Sequence, residues 1–270
     1  MDISFIGGGN MASALIGGLV AQGFDASRIR VVEHSPEARE SLQIRYGVRT
    51  FASLEAAAVA GDVIVLAVKP QQLREVAANL TSLLNQQLVI SIAAGVRADD
   101  LSRWLGGYRQ LVRSMPNTPA MVSSGMTGLY ALPEVAQAQR QQAETVLRAV
   151  GATLWLSEET QLDGVTAVSG SGPAYVFYFM EAMQAAAAEL GFSPQQARTL
   201  TLETFLGAAR LALQSEEDAA TLRARVTSKG GTTERALATM EQALVKPSII
   251  QAIHAAAERS RELGDALGKE

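Results

Sequence analysis

Residues 1–12 constrain the fold of this 270-residue chain more than any other stretch. A short apolar segment at 3–6 leads directly into Gly7-x-Gly9-x-x-Ala12, and a helical pattern with one apolar face follows. Gly7 permits a tight turn after a strand, Gly9 lets the backbone approach a pyrophosphate, and Ala12 keeps the helix close to the strand. Because a strand precedes the glycines and a helix follows them, the pattern predicts a dinucleotide-binding fold rather than a flexible loop.

Composition excludes several classes of protein. The net charge of −4 argues against a nucleic-acid partner, and the 48% of hydrophobic residues provide for a sizeable core. The chain has no cysteine, which excludes disulfides and thiolate nucleophiles, and its two histidines, His34 and His254, cannot form a three-histidine zinc site. No apolar run reaches the length of a membrane span. We therefore expect a soluble, cytoplasmic protein without a metal.

Strand and helix patterns alternate through the first half of the chain. Predicted strands follow the first one at 29–32, 62–68, 88–92, 111–115, 127–130 and 153–156. From 158 onward only helices are predicted, at about 158–168, 173–190, 194–214, 218–227, 232–243 and 246–267. The predicted fold is α/β, with an N-terminal Rossmann-type dinucleotide-binding domain (1–157) and an all-α dimerisation and substrate domain (158–270).

The prediction of dimerisation rests on the helix near 174–190. Its only charges are Glu181 and Glu189, while Val176, Phe177 and Met180 point in different directions. A helix that is apolar most of the way round has to be buried on most sides, and a small helical domain offers few places to bury one. We predict an obligate homodimer formed through this domain, with a core inside a single-chain bundle as the alternative.

The end of the second predicted strand carries conflicting signals about the cofactor. Glu33 can accept hydrogen bonds from the ribose diol of NAD, whereas Ser35, His34 and Arg39 can hold a 2′-phosphate. Ser35, which precedes Pro36, also fits the role of a helix N-cap. These residues leave the choice between NADH and NADPH open.

Later strand ends offer further groups to a ligand. Lys69-Pro70 follows one apolar run, and the small residues Ala93-Ala94-Gly95 follow the next. Since open α/β sheets bind ligands at the carboxyl ends of their strands, we expect Lys69 to face a ligand. Asn117 and Thr118 lie between two prolines, where they either offer neutral hydrogen bonds or only form a rigid turn.

Two stretches of small residues in the helical half, 169–174 and 228–233, are predicted as loops that each open a helix. Backbone amides, hydroxyls and a helix dipole suit a carboxylate there, and capping with close packing is the alternative. None of the four lysines follows the first stretch, where hydroxyacid dehydrogenases of this two-domain plan are expected to carry one. An imine is basic enough to arrive protonated, so the scarcity of acid–base groups favours reduction of a C=N bond.

Six motifs together resemble those of pyrroline-5-carboxylate reductases, in the right order along nearly the whole chain. They are Gly7-x-Gly9-Asn10-Met11-Ala12, Ala67-Val68-Lys69-Pro70, Ala93-Ala94-Gly95, Met115-Pro116-Asn117-Thr118-Pro119, Ala167-Val168-Ser169-Gly170-Ser171-Gly172-Pro173-Ala174-Tyr175 and Val226-Thr227-Ser228-Lys229-Gly230-Gly231-Thr232-Thr233. The resemblance implies an oxidoreductase that reduces the cyclic imine of 1-pyrroline-5-carboxylate to L-proline, the last step of proline biosynthesis. NADPH is the family norm, and NADH is the alternative.

The resemblance also implies the site residues. Those at the cofactor would be Ile6, Gly7, Gly8, Gly9, Asn10, Met11, Ser35, Ala67, Val68, Lys69, Pro70, Ala93, Ala94, Gly95 and Asn117. Those at the substrate would be Glu159, Ser228, Gly230, Gly231, Thr232 and Thr233, with Thr233 as hydrogen-bond partner or proton relay at the imine nitrogen. The family forms a dimer interlocked through the helical domain, often arranged further as five dimers.

Three residues depart from the family pattern. Lys229 stands where proline is usual and adds a positive charge near the carboxylate site, while Leu54 and Arg225 replace asparagines that touch the cofactor in some members. In addition, the charge of Glu33 would repel a 2′-phosphate if both face the same pocket, which weakens the expectation of NADPH without overturning it. Two other functions are compatible with the sequence. One is a hydride-transfer enzyme acting on a hydroxyacid or another cyclic imine, and the other is a protein that binds NAD(P) without turnover.

Overall fold

A computed structural model describes residues 1–269 and divides into two compact units. Residues 1–171 and 256–269 form the first unit, and residues 172–255 form the second. The C-terminal end of the chain therefore belongs to the first unit.

The first unit is built on one eight-stranded sheet. Its strands are β1 (Ile3–Ile6), β2 (Ile29–Val32), β3 (Arg49–Phe51), β4 (Val63–Leu66), β5 (Leu88–Ser91), β6 (Leu111–Met115), β7 (Gly125–Ala131) and β8 (Gly151–Trp155). They lie in the order β3-β2-β1-β4-β5-β6-β7-β8, and only β6 and β7 pair antiparallel. The strand order reverses between β1 and β4, which is the arrangement of a Rossmann-type sheet and confirms the predicted fold class.

Helices cover both faces of this sheet. They are α1 (Asn10–Ala21), α2 (Pro36–Tyr46), α3 (Pro70–Leu80), α4 (Ala98–Trp104), α5 (Gln137–Arg148) and α6 (Gln161–Val165). One apolar core contains side chains of α1 and α5, and a second contains side chains of α3 and α4. The strands between the two cores are buried on both sides, which explains why β4 is a continuous apolar run and β1 contains a single polar residue, Ser4.

The second unit is helical. The helices after α6 are α7 (Gly172–Glu189), α8 (Pro194–Gln214), α9 (Ala219–Arg225), α10 (Thr232–Gln242) and α11 (Val245–Gly268), the last of which ends in the first unit. As predicted, the part of the chain that the structure describes has no strand after β8. Nowhere along residues 1–269 is a helix both long enough and apolar enough to cross a membrane.

Candidate active site

The glycine turn after β1 has the geometry that a dinucleotide phosphate requires. Gly7 adopts a φ of +102°, and a Cβ at this position would lie 2.7 Å from the carbonyl oxygen of Ala67, so only glycine fits. The Gly7 amide donates to the carbonyl of Val32 at 2.8 Å, which holds the turn against β2. Gly9 precedes α1, which has no side-chain cap, so the helix N-terminus is suited to an anion.

A cavity of about 920 Å³ opens beside this turn, at the carboxyl ends of β1, β2 and β4. Among the predicted cofactor residues, those that line it are Ile6, Gly7, Gly8, Gly9, Ser35, Ala67, Val68 and Lys69. The cavity thus lies at the crevice where open α/β sheets bind dinucleotides.

One wall of the cavity was not predicted. It is formed by a face of α3 and the segment after it, with side chains of Gln72, Glu75, Val76, Asn79, Ser82 and Leu83. The members on α3 recur at helical spacing after Pro70, the first residue of the helix. Helical periodicity counted from Pro70 is therefore the signal that identifies this wall in the sequence.

The remaining predicted cofactor residues do not line this cavity. Asn10 and Met11 begin α1, and Pro70 begins α3. Ala93, Ala94 and Gly95 follow β5, the strand next to β4, and Gly95 has a φ of +79°. All of them lie in the first unit.

The amide of Asn117 forms hydrogen bonds within the first unit. Its Nδ2 donates to the carbonyl of Ser169 at 3.0 Å, and its Oδ1 accepts from the amide of Met126 at 2.8 Å. Asn117 therefore connects the segment after β6 to β7 and to residue 169, a structural role that sequence reasoning did not assign to it.

The prediction that residues 169–174 form a loop is wrong. Thr166–Gly170 is a π-helical turn that continues α6, and α7 begins at Gly172, so a single residue separates two helical segments. Glycine lets Met115 pack closely here, because a Cβ on Gly170 would lie 2.8 Å from the Cε atom of Met115 and that side chain would have to move. Packing, one of the two predicted alternatives, accounts for glycine at this position.

The Glu33 carboxylate connects the glycine turn to the start of α2. Its Oε2 accepts from the amide of Gly8 at 2.9 Å, and its Oε1 accepts from the amide of Ser35 at 3.0 Å. The Ser35 hydroxyl caps α2 by accepting from the amide of Ala38 at 3.2 Å, and it donates to Oε2 of Glu37 at 2.7 Å. The hydrogen bond from Ser35 holds the pKa of Glu37 below its usual value.

Glu159 forms a charged cluster with a buried guanidinium. Its Oε1 accepts from Nη1 of Arg113 at 2.8 Å and from the amide of Ala98 at 2.7 Å. The side chain of Arg113 is only 8% exposed, and Ala98 is the first residue of α4, which has no cap from its N-cap residue. The carboxylate is thus stabilised by an opposite charge and by a helix N-terminus together.

Replacing Glu159 with glutamine should lower the free energy of unfolding by about 2 kcal/mol, because the buried Arg113 loses its counter-charge. Urea denaturation measures the change, and Glu158→Gln is the control because Glu158 is exposed. An equal loss in both variants would contradict a structural role for Glu159.

In the second unit, a short glycine turn connects α9 to α10. Gly230 has a φ of +74°, and a Cβ on Gly231 would lie 2.5 Å from Oγ of Ser228, so both positions favour glycine. The Gly230 amide donates to Oε2 of Glu234 at 2.7 Å, but α10, which begins at Thr232, has no cap from its N-cap residue. The N-terminus of α10 and its dipole are therefore suited to a carboxylate.

The side chains around this turn differ in exposure. Thr233 is half-buried, whereas Ser228, Lys229 and Thr232 are exposed. These residues belong to the second unit, while Glu159 and the cavity beside the Gly7 turn belong to the first.

The first unit defines a class of protein. A Rossmann-type sheet with a glycine turn, an uncapped helix and a cavity where the strand order reverses is the arrangement of a dinucleotide-binding protein. Residues 2–95 match the family model described as NADP oxidoreductase coenzyme F420-dependent. Residues 159–263 match the model described as pyrroline-5-carboxylate reductase dimerisation. Within residues 1–269, no group of three His, Asp or Glu side chains is arranged to hold a metal ion.

Similarity extends along the whole chain. The pyrroline-5-carboxylate reductase of Pseudomonas aeruginosa is 48% identical over 268 residues, which cover 99% of this chain and 98% of that protein. The enzyme of the same name from Haemophilus influenzae is 41% identical, with 97% of each chain covered. The chain therefore belongs to the pyrroline-5-carboxylate reductase family, which confirms the identification made from the sequence motifs.

Solved structures agree with this family. A pyrroline-5-carboxylate reductase from Coxiella burnetii has a TM-score of 0.92 at 44% identity, with 97% of this chain and 98% of that chain covered. The Plasmodium falciparum pyrroline carboxylate reductase, solved with NADP bound, has a TM-score of 0.87 at 27% identity, with 98% of each chain covered. The relatives support an NADP(H)-dependent enzyme, with NAD as the alternative.

Proposed function

We propose that this chain reduces the C=N bond of 1-pyrroline-5-carboxylate with NAD(P)H and releases L-proline, the last step of proline biosynthesis. A hydride adds to the imine carbon and a proton is gained by the ring nitrogen, so the C=N bond becomes a C–N single bond. When bound, NAD(P)H supplies the hydride. The observation that carries the proposal is the 48% identity to a pyrroline-5-carboxylate reductase across 99% of this chain.

The first unit fits such a cofactor, because the uncapped N-terminus of α1 offers backbone amides and a helix dipole to its phosphates, and Gly7 lets the chain turn tightly before it. The residues that we propose to hold the cofactor are those implied by the motifs: Ile6, Gly7, Gly8, Gly9, Asn10, Met11, Ser35, Ala67, Val68, Lys69, Pro70, Ala93, Ala94, Gly95 and Asn117. The members that line the cavity give this assignment its structural support.

The substrate carboxylate is proposed to bind at the N-terminus of α10. Gly231, Thr232 and Thr233 would receive it, with further contacts from Ser228, Gly230 and Glu159. The uncapped helix N-terminus supports this assignment, and Lys229 brings a positive charge to the same turn. The Gly230 amide already donates to Glu234, so the amides of α10 itself are the better donors to a carboxylate.

Thr233 is the proposed catalytic residue. It stands in the first turn of α10 and is half-buried, so its hydroxyl belongs to the same helix end as the proposed carboxylate site. A hydroxyl there can donate to the ring nitrogen or relay a proton to it. No stronger acid is needed if the imine arrives protonated.

The helical domain is proposed to form a homodimer, which can assemble further into a pentamer of dimers. The matching dimerisation model and the exposed apolar side chains of α7 support the dimer: Phe177 is 58% exposed and Tyr178 is 73% exposed. We propose residues 1–157 as the cofactor domain and 158–270 as the dimerisation and substrate domain. A cytoplasmic location stays a prediction.

The test is an assay of the purified full chain with 1-pyrroline-5-carboxylate, in parallel with NADPH and NADH. We expect absorbance at the reduced-nicotinamide band to fall and L-proline to accumulate, with one molecule of L-proline formed for each molecule of cofactor oxidised. Cofactor binding without turnover would contradict the proposal and favour a protein that only binds NAD(P). Oxidation of a hydroxyacid in place of imine reduction would indicate another hydride-transfer enzyme.

A further inference from the structure

The carboxylate of Glu33 lies where a Rossmann-type fold reads the adenosine ribose of a dinucleotide, at the end of β2 beside the glycine turn. Both of its oxygens are held: Oε2 accepts from the Gly8 amide at 2.9 Å, and Oε1 accepts from the Ser35 amide at 3.0 Å. Each carboxylate oxygen can accept a second hydrogen bond. The side chain is therefore fixed as an acceptor on the wall of the cavity, which suits a pair of ribose hydroxyls.

The neighbouring side chains that could bind a 2′-phosphate already have hydrogen-bond partners within the protein. Nη1 of Arg39 donates to the carbonyl of Glu33 at 2.7 Å and to the carbonyl of His34 at 2.8 Å. Nδ1 of His34 lies 3.1 Å from the carbonyl of Ala52. The hydroxyl of Ser35 already donates to Glu37. Among the described residues, none of these three side chains forms an ion pair or a hydrogen bond with the Glu33 carboxylate, which is held by backbone amides instead.

The charged residues on the cavity wall also favour a ribose hydroxyl over a phosphate beside Glu33. The residues that line the cavity include two carboxylates, those of Glu33 and Glu75, and one ammonium group, that of Lys69. A phosphate placed beside Glu33 would meet a like charge at short range, whereas a ribose hydroxyl would meet a hydrogen-bond acceptor.

We propose that Glu33 determines the choice of dinucleotide: it accepts hydrogen bonds from the adenosine ribose diol of NADH and disfavours the 2′-phosphate of NADPH. The inference rests on the proposed dinucleotide site and deepens it by assigning cofactor specificity to one side chain. NADPH binds this chain less tightly than it would bind the same chain without the Glu33 carboxylate.

The test compares 5′-AMP with 2′,5′-ADP, which differ only by the 2′-phosphate, and then NADH with NADPH, by calorimetric titration of the full chain. In Glu33→Gln, the affinity for 2′,5′-ADP relative to 5′-AMP, and for NADPH relative to NADH, should rise about tenfold. The reason is that one like charge is removed beside the 2′-phosphate. Glu40→Gln removes the same charge from an exposed position of α2 and should leave the ratio unchanged. Glu33→Asp keeps the charge and should keep the native preference.

A different outcome would overturn the proposal. If Glu33 only positions the glycine turn, Glu33→Gln will weaken both ligands by the same factor and the ratio will stay constant. A ratio that moves toward the ligand without the 2′-phosphate would also overturn it. Because binding is measured without substrate, the result is independent of imine reduction, so failure of the proposed reaction and failure of this inference are distinguishable.

Discussion

Replacing Gly151 with alanine should lower the free energy of unfolding by about 4 kcal/mol or more. Gly151 begins β8 with a φ of +148°, and a Cβ there would lie 2.0 Å from the carbonyl oxygen of Gly125 and 2.5 Å from its nitrogen. Gly125 is its register partner on β7. Since these neighbours are backbone atoms, no side chain can move to relieve the overlap, and the two strands would have to separate where their pairing begins.

Urea denaturation of the wild type, Gly151→Ala and Gly164→Ala measures this effect. Gly164 is the matched control, because it lies in α6 and an added Cβ there meets no atom within 4 Å. Alanine at that position should be neutral or stabilise by up to about 1 kcal/mol, given its higher helix propensity. Wild-type stability in Gly151→Ala would mean that β8 moves away from β7 at little cost, which would contradict the prediction.

Local signals account for the part of the fold that could be predicted from the sequence. A strand buried on both faces is rich in apolar residues, so β1, β4 and β5 stand out without knowledge of their neighbours, although β1 and β5 each contain one serine. Helix starts are equally local: Pro194 begins α8, Ser193 caps it, and Gln196 completes the capping box. The glycine turn combines both kinds of signal, which is why the dinucleotide fold was predictable.

Features that depend on pairing between distant residues could not be predicted. The short edge strand β3, Arg49–Phe51, has no apolar run and is defined by its pairing with β2. The pattern of β7 does not reveal that it runs antiparallel to β6, because direction depends on which strand it meets. The end of α11 returns to the first unit, where Oγ of Ser260 donates to Asp163 at 2.6 Å, and helical periodicity cannot signal that contact.

The candidate site shows the same division. The motif residues of the glycine turn were identified because their spacing is short, and they line the cavity as one group. The hydrogen-bond partners of Glu33 and Glu159 were not identified from the sequence. Gly8 is distant from Glu33 along the chain, and Arg113 is distant from Glu159, so each pair meets only in the folded structure. The sequence therefore identified candidate binding residues, while the structure showed the contacts that hold their side chains in place.

Replacing Thr233 with alanine should reduce kcat for 1-pyrroline-5-carboxylate by about 100-fold, the usual contribution of a positioned proton donor. Thr233 stands in the first turn of the uncapped helix α10, and the variant removes the hydroxyl proposed to serve the ring nitrogen. The dissociation constant of NADPH should not change, because the proposed dinucleotide phosphate site is in the first unit. Steady-state kinetics and a separate cofactor titration measure the two quantities.

Two further variants distinguish an effect of losing the hydroxyl group from an effect of losing side-chain packing. Thr233→Ser keeps the hydroxyl and should retain most of the turnover. Thr239→Ala removes a hydroxyl from an exposed part of the same helix, where it donates to the carbonyl of Arg235 at 3.1 Å, and should leave turnover unchanged. A serine variant as inactive as the alanine variant would assign Thr233 a packing role, and a collapse of NADPH affinity would contradict the role proposed here.

The kinetic pattern also separates proton transfer from carboxylate binding. If Thr233 only held the carboxylate, Thr233→Ala would raise KM and leave kcat unchanged. If it serves the nitrogen, kcat falls even at saturating substrate. The fall should then depend on pH, because an imine that arrives protonated needs no donor. We therefore expect the defect of Thr233→Ala to be smallest at low pH and to grow as the pH rises, and a defect independent of pH would contradict a proton relay.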